Sequence, residues 1–213
     1  AIINWQQFNI SAGNAVRSVA GSKRAALALP LETPAAIDAV AQGALLGAYS
    51  FDGFRVDSKA AQKLRDRAAR LYLRGHRHAM AALEQTSPGF REALSAADPG
   101  RWPRLAEAQV GVAYWAAATW GGHIALSKDH PEVVADLPLA MRLATLAWNR
   151  SPEHAEGALS SLMGSFELAR PGGSRDQALS YFDRAIAASG GRSAAPFVAK
   201  AEGIALPAGD RPG

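Results

Sequence analysis

The side chains that could do chemistry in this 213-residue chain are few, and they are scattered. There is no cysteine, which excludes disulfides, thiolate metal sites and a thiol nucleophile. The histidines are His76, His78, His123, His130 and His154. His76 and His78 stand two apart, so on a helix their imidazoles point to different sides. No His-Glu-x-x-His pair is present, and the five read as surface histidines rather than metal ligands. No Gly-x-Ser-x-Gly elbow exists, because Met163-Gly164-Ser165-Phe166 falls inside a helical pattern. Gly172-Gly173-Ser174-Arg175 and Gly190-Gly191-Arg192-Ser193 precede helix starts. An anion could sit at either, but such turns are ordinarily caps. These residues support no catalytic group, no metal and no cofactor. The sharper cluster is aromatic: Tyr114, Trp115 and Trp120 crowd one segment, and Lys128 and Asp129 follow it. Two compatible readings stand. The rings pack a core, or they line an apolar cleft with Lys128 or Asp129 at its mouth, forming a ligand-binding set.

The elements that would hold these residues are mainly α-helical. Hydrophobic residues make up 48% of the chain, enough for a core, and alanine, the best helix former, is abundant. From Asp57 onward helical patterns alternate with Pro/Gly breaks. The spacing predicts helices over about 58–85, 90–97, 106–126, 137–148, 155–168, 176–189 and 194–205, with a frayed tail from Pro207. The segment 106–126 is apolar all round and should be central. Helix following helix with no strand between predicts packed helical hairpins. Ala140, Ala144, Ala147 and Pro152 have the spacing of a tetratricopeptide second helix; Ala178, Phe182 and Ala185 repeat it, with Gly190 in place of the proline. Residues 1–56 read differently, as a small α/β segment. Ile2, Ile3, Trp5, Phe8 and Ile10 suggest a strand, Ala25–Leu31 a second, and Thr33-Pro34 starts a helix reaching about Tyr49. The expected organisation is therefore 1–56, then a helical-hairpin domain over 57–213.

Net charge is +4, mildly basic, with no sign of a dedicated nucleic-acid binder. The densest basic stretch holds Lys63, Arg65, Arg67, Arg70, Arg74 and Arg77. On a helix these six cover more than half the circumference, which reads as a solvated face more than an anion or nucleic-acid patch. No window reaches the ~18 uninterrupted apolar residues of a membrane helix, and Ala1–Ser11 has no signal-peptide pattern.

Several segments together resemble one family. These are Arg70-Leu71-Tyr72-Leu73-Arg74 with Pro88-Gly89-Phe90; Tyr114-Trp115-Ala116-Ala117-Ala118-Thr119-Trp120-Gly121; Ser127-Lys128-Asp129-His130-Pro131-Glu132; Ala135-Asp136-Leu137-Pro138; Arg170-Pro171-Gly172-Gly173; and Tyr181-Phe182-Asp183-Arg184-Ala185. Over about residues 57–211 the chain resembles the T component (TatT) of tripartite ATP-independent periplasmic (TRAP) transporters. That resemblance implies an all-helical, tetratricopeptide-like periplasmic lipoprotein. It also implies a homotrimer, a TRAP substrate-binding protein as partner, and an apolar cleft for a hydrophobic small molecule. His130 stands where the family is usually acidic, and the family's first helices and lipid-bearing cysteine are not matched. Instead Ala1–Asn14 resembles filamentous-haemagglutinin-type secretion domains. Lys23–Val56, through Ala28-Leu29-Pro30 and Gln42–Tyr49, resembles the N-terminal domain of leucyl aminopeptidases, without the domain that carries their metal ligands. The expected function is a non-enzymatic transport accessory. The alternatives are a generic tetratricopeptide-like interaction scaffold and, further off, a metallopeptidase fragment lacking its catalytic domain.

Overall fold

The computed structural model describes residues 58–205 and residue 209. The strands and helix expected within 1–56, and the tail expected from Pro207, lie outside the described residues, Gly209 apart. Every regular element among the described residues is helical, and the protein is mainly α.

Helix α1 spans Ser58–Thr86, 29 residues. Its inward face carries Ala68, Tyr72, Ala79 and Leu83, spaced by four or seven as a one-sided helix requires, with Met80 beside Ala79. Gly75 leaves the helix unbroken. The Thr86 hydroxyl donates back to the Ala82 and Leu83 carbonyls at 3.0 and 3.2 Å. The Glu84 carboxylate then bridges the Ser87-Pro88-Gly89 break, accepting from the backbone N–H of Gly89 at 2.6 Å and of Arg91 at 3.0 Å. Those donors would otherwise be the orphans at the start of helix α2, Phe90–Ser95.

Helix α2 stops two residues before the expected end at Ala97, because Ala96 is extended. Its carbonyl accepts instead from the Trp102 indole and the Arg142 guanidinium, each at 2.9 Å. Two 3₁₀ turns, Pro99–Arg101 and Glu107–Gln109, lead into α3, Val110–Leu126. The expected start at Ala106 is thus a tight turn. Gln109 holds it by accepting from the Ala106 N–H and donating to the hydroxyls of Thr86 and Ser87, all at 2.9 Å.

Next come α4 (Pro131–Val134), α5 (Leu137–Arg150), α6 (Ala158–Ala169), α7 (Arg175–Ala188) and α8 (Ala195–Lys200), followed by a π turn over Ala201–Ala205. The expected helix start at Ala155 is wrong by three residues. Ala155, Glu156 and Gly157 are all left-handed, with φ of 53°, 53° and 86°. The chain must turn sharply there because Gly157 lies directly on α7, where an added Cβ would come within 2.8 Å of the Ala185 Cα.

The helices pack largely in sequence: α1 on α3, α3 on α5, α5 on α6, α6 on α7 and α7 on α8. The central layer is α3, buried on every side. Ala140, Ala144 and Ala147 of α5, and Ala178, Phe182 and Ala185 of α7, are buried at the positions the repeat spacing marked. Trp148 ties three helices together. Its indole donates to the Ser160 hydroxyl at 3.3 Å, and its ring meets Tyr181 edge-on at 5.5 Å.

The α6–α7 turn is built around Glu167, whose side chain is only 10% exposed. Arg170 donates to both its oxygens, at 2.9 and 2.6 Å, and the Ser174 N–H donates at 2.8 Å. The Arg170 bonds hold the carboxyl below its usual pKa, against the opposing effect of burial. Glu167→Ala is expected to lose about 2 kcal/mol in urea denaturation at neutral pH, since the Ser174 N–H and the guanidinium both lose their acceptor.

Candidate functional site

Every residue of α3 from Val110 to Gly122 is buried. Tyr114 is 1%, Trp115 6% and Trp120 9% exposed, so all three expected site aromatics belong to the interior. They do not form one wall. At 100° per residue their side chains leave α3 in three directions. Tyr114 meets the Trp115 ring edge-on at 5.0 Å and the His154 ring at 5.7 Å. Trp120 turns toward α1, where the His76 imidazole lies 4.3 Å away, tilted by 36°. Lys128 and Asp129 are exposed in the turn beyond α3. The end of α3 at Leu126, which they follow, lies about 18 Å along the axis from Tyr114. The structure therefore joins Tyr114 to Trp115, gives Trp120 a different neighbour, and sets the two charged residues at the opposite end. Partial burial lowers the Lys128 pKa.

Three histidines are more buried than a surface assignment allows. His76 of α1 bonds through Nδ1 to the Ala116 carbonyl of α3, and His123 of α3 bonds through Nδ1 to the Ala69 carbonyl of α1, both at 3.1 Å. A carbonyl can only accept, so each Nδ1 carries the proton and each neutral ring keeps its lone pair on Nε2. The two bonds run in opposite directions and are seven residues apart on each helix, which clasps α1 antiparallel to α3. Between them Tyr72 lies flat on Gly122, where a Cβ would meet the ring at 2.9 Å. Burial is the largest influence on all three rings: it lowers His76 to about 4 and depresses His123 and His154. Burial likewise raises the Tyr72 and Tyr114 phenols. At neutral pH the surroundings of α3 thus present aromatic rings, uncharged imidazoles and un-ionised phenols, which suit an apolar ligand more than an ion.

His78 and His130 are exposed, as expected of surface histidines. The signal that could have found His76 is its helical phase: it shares the apolar face with Tyr72, Ala79 and Leu83. No group of three or more potential metal ligands converges among the described residues.

The described residues form a stack of helices packed around the buried α3. The chain belongs to the TRAP transporter T-component family, whose model matches residues 45–213. That is a transport-accessory family, not an enzymatic one. The match begins twelve residues before the expected boundary at 57. An uncharacterized protein of Treponema pallidum is 26% identical over 154 residues, covering 69% of this chain and 48% of that protein. A probable cytosol aminopeptidase of Leifsonia xyli subsp. xyli is 52% identical over 56 residues, 26% of this chain and 11% of that protein. One from Streptomyces coelicolor is 47% identical over 60 residues, 12% of that protein. The chain spans about half of the Treponema relative and about a tenth of each aminopeptidase. The aminopeptidase likeness is a short N-terminal one. No helix among the described residues is long and apolar enough to cross a membrane.

Proposed function

We propose that this protein is a periplasmic accessory of a TRAP-type transport system, a helical scaffold that docks the system's substrate-binding protein, assembles as a homotrimer and holds a hydrophobic small molecule against α3. The observation that carries this reading is the family match across 45–213. What supports the ligand is the character of α3: Tyr114, Trp115 and Trp120 on one buried helix, beside imidazoles kept neutral by burial. Lys128 or Asp129 remains the proposed polar mouth of the ligand cleft.

Native mass spectrometry tests the assembly. A trimer that takes up the purified TRAP substrate-binding protein is the expected result; a strict monomer that ignores it would count against the transport role and favour a generic interaction scaffold. The ligand is tested by titrating a medium-chain fatty acid and following tryptophan fluorescence. Trp115→Leu, which keeps an apolar side chain, is expected to weaken binding about tenfold through the lost ring contact. Unchanged affinity in that variant would remove Trp115 from the site.

A further inference from the structure

The charge of this protein is distributed unevenly. Helix α1 contains seven of the chain's 23 Lys and Arg but only two of its 19 Asp and Glu. The remaining 16 and 17 cancel to within one charge, so the whole net surplus of +4 is carried by α1. The basic run Lys63–Arg77 is also narrower than its sequence suggests. Arg65, which widened its arc, is half-buried. Lys63, Arg67, Arg70, Arg74 and Arg77 are all exposed. At 100° per residue these five fall within an arc of about 80°, and at 1.5 Å per residue they form a straight ridge about 21 Å long. None of the five forms an ion pair among the described residues. The one acidic residue at the ridge's edge, Asp66, accepts a bond from Gln62 at 2.8 Å instead.

We propose that this ridge is a docking surface for an anionic lipid bilayer, with lipid headgroup phosphates as the ligands. A cylinder meets a plane along a line, and a single line of cations on the outer edge of a straight helix is what a planar array of phosphates would engage. Four of the five cations are arginines, whose planar guanidinium binds phosphate through two parallel bonds. The ridge offers no aromatic or large aliphatic side chain. Protein partners are usually anchored by such residues, and single-stranded nucleic acids stack their bases on them; a headgroup layer needs neither. Unpaired cations on a helix surface cost little to bring to phosphate, because no existing salt bridge has to break.

The experiment is co-sedimentation of the full 213-residue chain with vesicles of phosphatidylcholine alone and of phosphatidylcholine mixed with phosphatidylglycerol, at low and high salt. Binding only to the phosphatidylglycerol vesicles, released by high salt, is the expected result. Each cation at a bilayer surface is worth about a fivefold change in partitioning, so Arg70→Glu with Arg74→Glu is expected to weaken binding more than about twentyfold. Arg101→Glu with Arg104→Glu makes the same change in net charge away from the ridge, and is expected to cost less than about threefold. Circular dichroism and melting of both doubles, substituted at exposed positions, check that the fold survives. Equal binding to the two vesicle types, or equal losses in the two doubles, would overturn the proposal. So would absence of vesicle binding together with retention on immobilised polyglutamate, which would assign the ridge to an acidic protein.

Discussion

A Gly157→Ala variant is expected to be less stable than the parent by about 3 kcal/mol, which for a chain of this size lowers Tm by roughly 6–12 °C. Two independent costs meet at this position. Gly157 has φ of +86°, where an L side chain adds roughly 1–2 kcal/mol. Its missing side chain is also the space α7 occupies: a Cβ there would lie 2.8 Å from the Ala185 Cα, 2.9 Å from the Ala185 carbonyl oxygen and 3.0 Å from the Ala188 Cβ. Two of those atoms are backbone, so the strain is relieved only by moving one helix from the other, at about 1–3 kcal/mol. Residue 155 separates the two costs. Ala155 is exposed and left-handed at φ of 53°. Ala155→Gly keeps the turn and removes only the conformational cost, so it should raise stability by about 0.5–1 kcal/mol. Urea denaturation of both variants checks the pair. A Gly157→Ala protein as stable as the parent would mean that the left-handed turn and the α6–α7 approach do not set this connection.

The second large effect is a dependence of stability on pH that traces to His76. Its ring is buried against Trp120 and bonded to the Ala116 carbonyl, and burial lowers its pKa from an ordinary 6.5 to about 4. Arg91, His123 and Arg77 add like-charge repulsion to the protonated ring. Above pH 6.5 the imidazole is neutral in both folded and unfolded chains, and stability is at its full value. Between pH 6.5 and 4 the unfolded chain takes up the proton and the folded one does not, so stability falls as the pH falls. At 1.36 kcal/mol per unit, the full window amounts to about 3 kcal/mol. His123 and His154, both lowered mainly by burial, act in the same direction. Replacement by His76→Gln should reduce the slope of unfolding free energy against pH between 4 and 6.5 while lowering stability at pH 7. A slope identical to the parent's would assign the acid sensitivity elsewhere. The clasp itself predicts where opening begins: α1 separates from α3 when the buried imidazole is forced to charge.

Much of the fold is legible along the chain, for identifiable reasons. α1, α5 and α7 begin or end within about two residues of where their patterns place them, because each has a capping or breaking signal: the Ser87-Pro88-Gly89 break, Pro138 in a first turn, Ser174 as a hydroxyl cap. The errors fall where a long-range partner overrides a local preference. α2 is cut short by Trp102 and by Arg142, which is 46 residues away from the carbonyl it binds. α6 starts late because a backbone on α7 occupies the space beside Gly157. At the site, burial of Tyr114, Trp115 and Trp120 follows from a segment apolar on every side. Their separate directions, and the partnership of Trp120 with His76, join residues 44 apart and leave no trace in local spacing.

That the chain is a stack of helices with α3 at its centre can be read along the chain, because helical periodicity and the placement of Pro, Gly and Ser are local properties that need no partner. The sequence also carried the family, through short blocks that keep their order along the chain. Which side chains meet is set by the packing of the folded chain. It turned His76 and His123 from scattered imidazoles into a reciprocal clasp, separated Lys128 and Asp129 from Tyr114 by most of a helix, and half-buried Arg65 so that a broad basic face became a narrow ridge. Each of these depends on how one helix lies against another, a choice made by burial and close approach between residues far apart in the chain.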